Sequence, residues 1–156
     1  MNSLARSLEV AKDEEAIAEA VVDCAFAIHS ELGPGLLESV YGVILADALA
    51  GRGFAVEQQV DVPIRFHGKE FPVGFRADLI VERKVCIELK SVESFARVHA
   101  KQLITYLRLL DFRLGLLINF GAPLLKDGVK RVVNGLESQK YPTSLRGLAP
   151  SREKIL

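Results

Sequence analysis

Two acidic residues lie inside short apolar segments that are typical of buried β-strands. Asp78 lies in residues 75–81 (FRADLIV), and Glu88 lies in residues 85–90 (VCIELK). Acidic residues are depleted in strands, and a buried carboxylate costs several kcal/mol unless a partner compensates for its charge. A divalent metal ion is one such partner, and a nearby lysine or arginine is another. The two positions therefore predict a metal site or a buried ion pair.

The triplet Glu88-Leu89-Lys90 places a cation beside one of these acids. Side chains alternate across a strand, so Glu88 and Lys90 are expected on one face and Leu89 on the other. This pairing suits metal-assisted hydrolysis of a phosphodiester, in which carboxylates hold Mg²⁺ and the lysine orients water or stabilises the developing charge. The alternative is a half-exposed ion pair on an outer strand.

Glu38 is the third acidic candidate. It lies early in a second predicted helix, just after Gly33-Pro34-Gly35, and Tyr41 follows one turn later. It is a candidate to bind the same metal ion, directly or through water. The alternative is an ordinary first-turn glutamate that the helix dipole favours.

A polar face on the third predicted helix suits the binding of a polyanion. His99, Gln102 and Tyr106 are spaced i, i+3, i+7 and share one side of the helix. Glutamine and tyrosine can donate to phosphate oxygens or bases, and Arg97 and Lys101 beside them add electrostatic attraction. We expect this face to be distinct from the apolar stripe of the same helix. The alternative is a solvated face with one amphipathic tyrosine.

Composition excludes several classes of protein. The 156 residues include 20 Lys and Arg against 20 Asp and Glu, a net charge of zero, which rules out a strongly basic nucleic-acid coat. The net charge is −7 over residues 1–50 and +4 over residues 126–156, so a polyanion should approach the later part. No GxSxG, P-loop or GxGxxG motif occurs, so serine hydrolases, P-loop NTPases and dinucleotide-binding proteins lose their usual support.

The sequence predicts a cytoplasmic protein with no membrane partner. The longest uncharged run, residues 114–125, has 12 residues, whereas a helix that crosses a bilayer needs roughly 20. Residues 1–10 have no basic region leading into an apolar one, so no secretory signal is expected. Cys24 and Cys86 lack CxxC spacing and are expected to be buried or half-buried thiols in a reducing compartment.

The elements that must position these residues follow from apolar spacing and turn signals. Helices are predicted over residues 14–32, 36–52 and 94–110. Strands are predicted over 54–60, 64–66, 70–73, 75–82, 85–90, 113–120 and 129–133, with Asp61-Val62-Pro63 as an interruption. The strand over 113–120 is almost wholly apolar and is expected inside a sheet, with 129–133 at an edge. This order predicts an α/β fold, a mixed four- to six-stranded sheet flanked by helices. We expect one domain over residues 1–134 and a mobile C-terminal tail over 135–156.

Five separated motifs resemble one known family. Residues 35–41 (GLLESVY) match the signature that names the GxxExxY proteins. Residues 28–35, 88–90, 99–107 and 116–120 resemble the same family in the same order, so the resemblance covers about residues 16–133. That family is grouped with the PD-(D/E)xK nuclease-like superfamily.

The resemblance implies a restriction-endonuclease-like core of four mixed strands and a Mg²⁺ site, with Mn²⁺ as an alternative ion. Asp78 would be the D of the motif, and Glu88 with Lys90 the ExK. Glu38 would be an additional acidic ligand. Gln102 and Tyr106 match the QxxxY element of the exonuclease-like branch, which contacts nucleic acid near the site; His99, Arg97 and Lys101 would assist. The proline of "PD" is absent, because Phe75-Arg76-Ala77 precedes the aspartate.

The sequence therefore supports three hypotheses about function. The first is a Mg²⁺-dependent nuclease that acts on DNA or RNA. The second is a module of the same fold that binds nucleic acid or a protein with little or no turnover. The third is a structural subunit that pairs with itself, as a homodimer, or with another protein. Its basis is the high apolar content, which includes the consecutive residues Val43, Ile44 and Leu45 on the second helix.

Overall fold

The computed structural model describes residues 12–135. The predicted tail, apart from Gly135, and the N-terminal segment 1–10 lie outside the described residues. The helices are α1 (Glu14–Leu32), α2 (Glu38–Gly51) and α3 (Arg97–Leu110). The strands are β1 (Val56–Phe66), β2 (Lys69–Val81), β3 (Val85–Lys90), β4 (Leu114–Asn119) and β5 (Val129–Val133), and a short 3-10 helix, Leu125–Gly128, precedes β5.

The strands form one mixed five-stranded sheet in the order β1-β2-β3-β4-β5. All neighbours are antiparallel except β3 and β4, which are parallel and are connected through α3. Every residue of β4 is buried, as its apolar sequence predicts, and β5 lies at an edge. The α/β class and the mixed sheet flanked by helices are confirmed.

The predicted break in the first strand is wrong, because β1 runs without interruption through Asp61-Val62-Pro63. Proline lacks an N–H and is tolerated on an edge strand or at an irregularity in a sheet. Both conditions are met at Pro63, because β1 is an edge strand and its register with β2 shifts between Val62 and Ile64. Gly74 on β2 allows the close approach at this point, since a Cβ there would lie 2.0 Å from the Val62 carbonyl oxygen.

Helix α2 begins two residues later than predicted because the backbone groups of Leu36 form hydrogen bonds with side chains instead of helical ones. Its N–H donates to the Tyr41 hydroxyl at 3.1 Å, and its carbonyl accepts from the Ser91 hydroxyl at 2.8 Å. The Tyr41 hydroxyl in turn donates to the Gly33 carbonyl, and its ring stacks on Phe120 at 4.2 Å between centroids. These contacts fix the turn that brings Glu38 to the first position of α2.

Two apolar cores lie on opposite faces of the sheet. The first packs α1 and α2 against the sheet, and the second packs α3 against the other face. Cys24 lies in the first core and Cys86 in the second, and both thiols are buried and free, as expected. Helices on both faces leave β3 and β4 covered on both sides.

The helices are relevant to two predictions, the absence of a membrane partner and the formation of a homodimer. No helix among residues 12–135 is long and apolar enough to cross a membrane. Of the three consecutive apolar residues on α2, Leu45 is fully buried and Ile44 is half-buried, while Val43 is 61% exposed. The homodimer based on these residues stays a prediction.

Candidate active site

Strands β2 and β3 separate at Asp78. Their registered pairs end with Leu79 and Ile87. Beyond this pair, Asp78 Oδ2 accepts a hydrogen bond from the Leu89 backbone N–H at 2.8 Å, and Glu88 Oε1 accepts one from the Asp78 N–H at 3.4 Å. Carboxylate oxygens thus take the place of ladder carbonyls, and both acids are held where the strands diverge. We name this arrangement the β2–β3 fork.

The fork coincides with a change of face along β2. Leu79 and Val81 pack in the first core, but Ala77 packs in the second. Residues two apart share a face in a regular strand, so β2 rotates at the residue between Ala77 and Leu79. This residue is Asp78, and its carboxylate is bonded across to β3 rather than packed within either core.

The predicted alternation at Glu88-Leu89-Lys90 is confirmed. Leu89 packs in the first core, and on the other face Glu88 Oε2 lies 3.7 Å from Lys90 Nζ. Glu88 is only 5% exposed and β3 is the central strand. The alternative of a half-exposed ion pair on an outer strand is therefore wrong.

Glu38 and Asp78 line the same cleft of about 440 Å³. Glu38 Oε2 accepts a hydrogen bond at 3.2 Å from the N–H of Ser91, the residue after β3. Its carboxylate therefore reaches across from α2 to the end of the ExK strand, which an ordinary first-turn glutamate need not do. The cleft is lined by Leu37, Glu38, Ser39, Gly42, Gln59, Asp78, Leu89 and Ser91.

The pKa of Glu88 is raised to about 7. Burial is the largest cause, and the charge of Asp78 adds to it, followed by a smaller effect of Glu38. Lys90 and the Asp78 N–H lower the pKa but do not offset burial. One lysine is thus insufficient to neutralise the carboxylates at the fork.

The pKa of Asp78 is also raised. Burial is again the largest cause, and the Glu38 charge adds to it. The Leu89 N–H, the Gln59 amide and the Lys90 charge act in the opposite direction. Acids with perturbed pKa values beside a cleft are typical of functional sites.

The donor chemistry of the fork fits a hard divalent cation. Carboxylate oxygens are the ligands that Mg²⁺ prefers, and it is commonly held by one or two carboxylates together with water and substrate phosphates. Within residues 12–135, no three His, Cys, Asp or Glu side chains already form a metal-binding group. Asp78 and Glu88 are therefore the candidate ligands at the fork, with Glu38 at the same cleft.

The predicted polar face of α3 is divided by the fold. Tyr106 is buried in the second core with Leu103 and Leu107, so the expected separation from the apolar stripe is wrong for this residue. Its ring packs at 4.9 Å on Phe75, and burial together with the Glu88 and Asp78 charges raises its pKa to about 12. Tyr106 therefore lies in the electrostatic field of the fork and not on a solvated face.

The remaining candidates on α3 lie nearer to solvent. Arg97 and Lys101 are exposed and Gln102 is half-buried. His99 Nδ1 accepts a hydrogen bond from the Ala96 N–H at 3.1 Å, so this ring caps the start of the helix. Of the five α3 candidates, the structure thus places Tyr106 in the electrostatic field of the fork, and it leaves the two cations exposed.

Sequence reasoning missed Asn119, which fixes the chain after β3. This side chain is 1% exposed. Its Oδ1 accepts from the N–H groups of Val92 and Gly121 at 3.0 Å each, and its Nδ2 donates to the Val92 carbonyl at 2.8 Å. The available signal is an amide at the end of a wholly apolar strand. Ser91 and Gln59, which bond to Glu38 and Asp78, were also missed, and their residue types carry no such signal.

The family model of the PD-(D/E)XK nuclease superfamily matches residues 15–132. The chain therefore belongs to this superfamily, whose nucleases generally use divalent metal ions. No curated protein and no solved structure matched the chain. Membership of the narrower GxxExxY family stays a prediction.

Removal of the Glu88 charge should stabilise the metal-free protein at alkaline pH. The folded-state pKa of about 7 lies above the ordinary 4.5, so the wild-type protein loses stability as the pH rises from about 5 to above 7. The Glu88→Gln variant does not undergo this loss. Its free energy of unfolding relative to that of the wild type should therefore increase by on the order of 2 kcal/mol from pH 5 to pH 8. Urea unfolding in EDTA at both pH values measures the difference.

The control for this experiment is Glu19→Gln, which removes an exposed carboxylate from the middle of α1. It should follow the wild-type protein at both pH values. If Glu88→Gln also follows wild type, Glu88 is not the buried, proton-binding group described above.

Proposed function

We propose that this chain is a metal-dependent nuclease that hydrolyses phosphodiester bonds of DNA or RNA, in the manner of the exonuclease-like branch. The single observation that carries the proposal is the β2–β3 fork. There, the carboxylates of Asp78 and Glu88 both have raised pKa values, and the Lys90 amine lies beside Glu88. Asp78 also lines the cleft, and the chain belongs to the PD-(D/E)XK nuclease superfamily.

Asp78 and Glu88 are proposed to hold the ion, and Glu38 to complete the site directly or through water. A bound Mg²⁺, or Mn²⁺ in its place, supplies positive charge at the phosphate oxygens and lowers the pKa of bound water. The hydrogen bonds of Asp78 to Leu89 and of Glu38 to Ser91 keep two of these carboxylates oriented before anything binds. Such preorganisation avoids a reorganisation cost during reaction.

Lys90 is proposed to assist the nucleophile. Its Nζ lies 3.7 Å from Glu88 Oε2, and its side chain is 20% exposed, so the amine is held at the fork yet open to solvent. From this position it can donate to a water molecule or to the oxygen on which negative charge develops.

Residues of α3 are proposed to bind the nucleic acid. Arg97 and Lys101 are exposed cations that can contact phosphates, which supply most of the sequence-independent affinity. Gln102, half-buried beside them, is proposed to donate to a phosphate or base, and Tyr106 to order this side of the fork from within the core. His99 contributes by capping the helix that carries these residues.

A module that binds without turnover is the second candidate. It is favoured by the pairing of Lys90 with Glu88 and by the lack of a ready-made three-ligand group in the described part of the chain. A single small domain also offers limited area, whereas DNA interfaces commonly bury about 1,000–2,500 Å² of protein. A homodimer would supply more area, and it is part of the proposal for either function.

The activity test compares fork variants with matched controls. Asp78→Asn and Lys90→Ala should each lower the cleavage rate by about 100-fold or more, because the first removes a charged ligand of the ion and the second removes the cation that assists the nucleophile. Arg83→Ala, at the turn at the other end of β3, and Glu19→Gln should retain the wild-type rate. Hydrolysis of single- and double-stranded DNA and RNA is followed with Mg²⁺, with Mn²⁺ and with EDTA.

Two outcomes count against the enzyme. One is the absence of cleavage of every substrate by the wild-type protein with either ion. The other is a Lys90→Ala variant as active as wild type. Retained nucleic-acid affinity in EDTA combined with either outcome would favour the binding module.

The α3 contacts are tested by the salt dependence of binding. Lys101→Ala should reduce the slope of log K against log salt by about 1, since one phosphate contact is lost. Gln102→Ala should weaken binding without changing the slope. Fluorescence anisotropy of a labelled oligonucleotide in EDTA measures both, with Arg83→Ala as the control. A wild-type slope for Lys101→Ala would place the binding surface elsewhere.

A further inference from the structure

Gln59 on β1 has a backbone conformation that residues with a Cβ rarely adopt. Its φ is 52°, which lies in the left-handed region that residues other than glycine, asparagine and aspartate usually avoid. The position is not a turn: the flanking residues Gln58 and Val60 pair regularly with Leu79 and Ala77. This register places Gln59 directly opposite Asp78.

The left-handed residue matches the change of face on the neighbouring strand. Val56 packs against the first core and Val60 against the second, although residues four apart in a regular strand share a face. The β1–β2 ribbon therefore rotates as a unit at Gln59 and Asp78. A glycine would adopt this backbone conformation with less strain. The presence of a glutamine therefore suggests that its side chain has a function.

The side chain of Gln59 is directed to the carboxylate of Asp78. Gln59 Nε2 donates to Asp78 Oδ1 at 3.4 Å, while the Leu89 N–H donates to Oδ2 at 2.8 Å. The two donors come from the strands on either side of β2, so each oxygen of this carboxylate has its own partner. Each oxygen retains a lone pair for another ligand, and Gln59 lines the cleft beside it.

We propose that Gln59 is a positioning residue, which holds the Asp78 carboxylate at the fork so that it can bind the cation. The cation part of this inference rests on the proposed function, whereas the placement of Asp78 does not. The competing explanation is that Gln59 only shapes the backbone, in which case its amide group has no effect on Asp78.

Three variants separate the side-chain role from the backbone role. Gln59→Leu removes the amide and keeps the bulk. Gln59→Gly removes the amide and relieves the left-handed strain, so its thermal midpoint should equal or exceed that of wild type. Gln58→Leu is the matched control, because Gln58 is the preceding residue on the same strand and is exposed, as Gln59 is.

The first readout needs no metal. The Leu89 amide donates to Asp78, so its ¹H–¹⁵N chemical shift and its exchange rate with solvent report the position of that carboxylate. In EDTA, both Gln59 variants should move the Leu89 resonance and accelerate its exchange, and the Gln58 control should do neither.

The second readout is the affinity for Mn²⁺ alone, measured by isothermal titration calorimetry. Loss of a group that orients a metal ligand typically weakens affinity 10- to 100-fold, so both Gln59 variants should bind Mn²⁺ about 10-fold more weakly. Gln59→Leu keeps a residue with a Cβ at this backbone position, so a fall in its Mn²⁺ affinity is a result that a backbone role alone would not produce.

The outcomes distinguish this inference from the proposed function. A Leu89 amide that is unchanged in Gln59→Leu overturns the positioning role, whatever the metal affinities and whatever the response of Gln59→Gly. A wild-type protein that binds Mn²⁺ and Gln59 variants that bind it equally well overturn the cation part. A wild-type protein that does not bind Mn²⁺, combined with a responsive Leu89 amide, contradicts the proposed function and supports the placement of Asp78 by Gln59.

Discussion

The hydrogen bond from the Leu89 N–H to Asp78 Oδ2 is the contact on which the candidate site depends. It exists because β2 and β3 stop pairing after Leu79 and Ile87, and a carboxylate takes the place of a backbone carbonyl. A continued ladder would give this N–H a carbonyl partner and leave Asp78 on one face of the sheet. The interruption of regular pairing therefore brings the acid into the cleft.

The fork is held by long-range contacts that surround it. Asn119 ties the segment after β3 to the end of β4 through Val92, and Glu38 bonds to Ser91 in the same segment. The site is thereby connected to α2 and β4 and does not depend on a loop alone. Buried carboxylates with raised pKa values lower the stability of the metal-free protein, and rigid elements on both sides of the sheet maintain the fold despite this loss.

The residues that sequence predicted well obey local rules. Alternation along β3 placed Glu88 and Lys90 together, and the apolar run of β4 predicted a strand buried on both faces. The failures came from contacts between distant segments. Pro63 lies inside a strand because that strand is at the edge of the sheet. Helix α2 begins late because Ser91 and Tyr41 form hydrogen bonds with the backbone of Leu36. Tyr106 is buried because its ring packs against Phe75, which lies on β2. Gln59 could not be predicted, since nothing near it in the sequence reveals that Asp78 lies opposite.

Whether the fork binds a cation can be determined by X-ray diffraction from crystals of this protein soaked in Mn²⁺, recorded so that the anomalous signal of the ion locates it. We expect a peak at the β2–β3 fork, within direct coordination distance of carboxylate oxygens of both Asp78 and Glu88. The claim is contradicted if millimolar Mn²⁺ gives no peak there, or gives one only at acids elsewhere, such as Glu15 and Glu19 on α1.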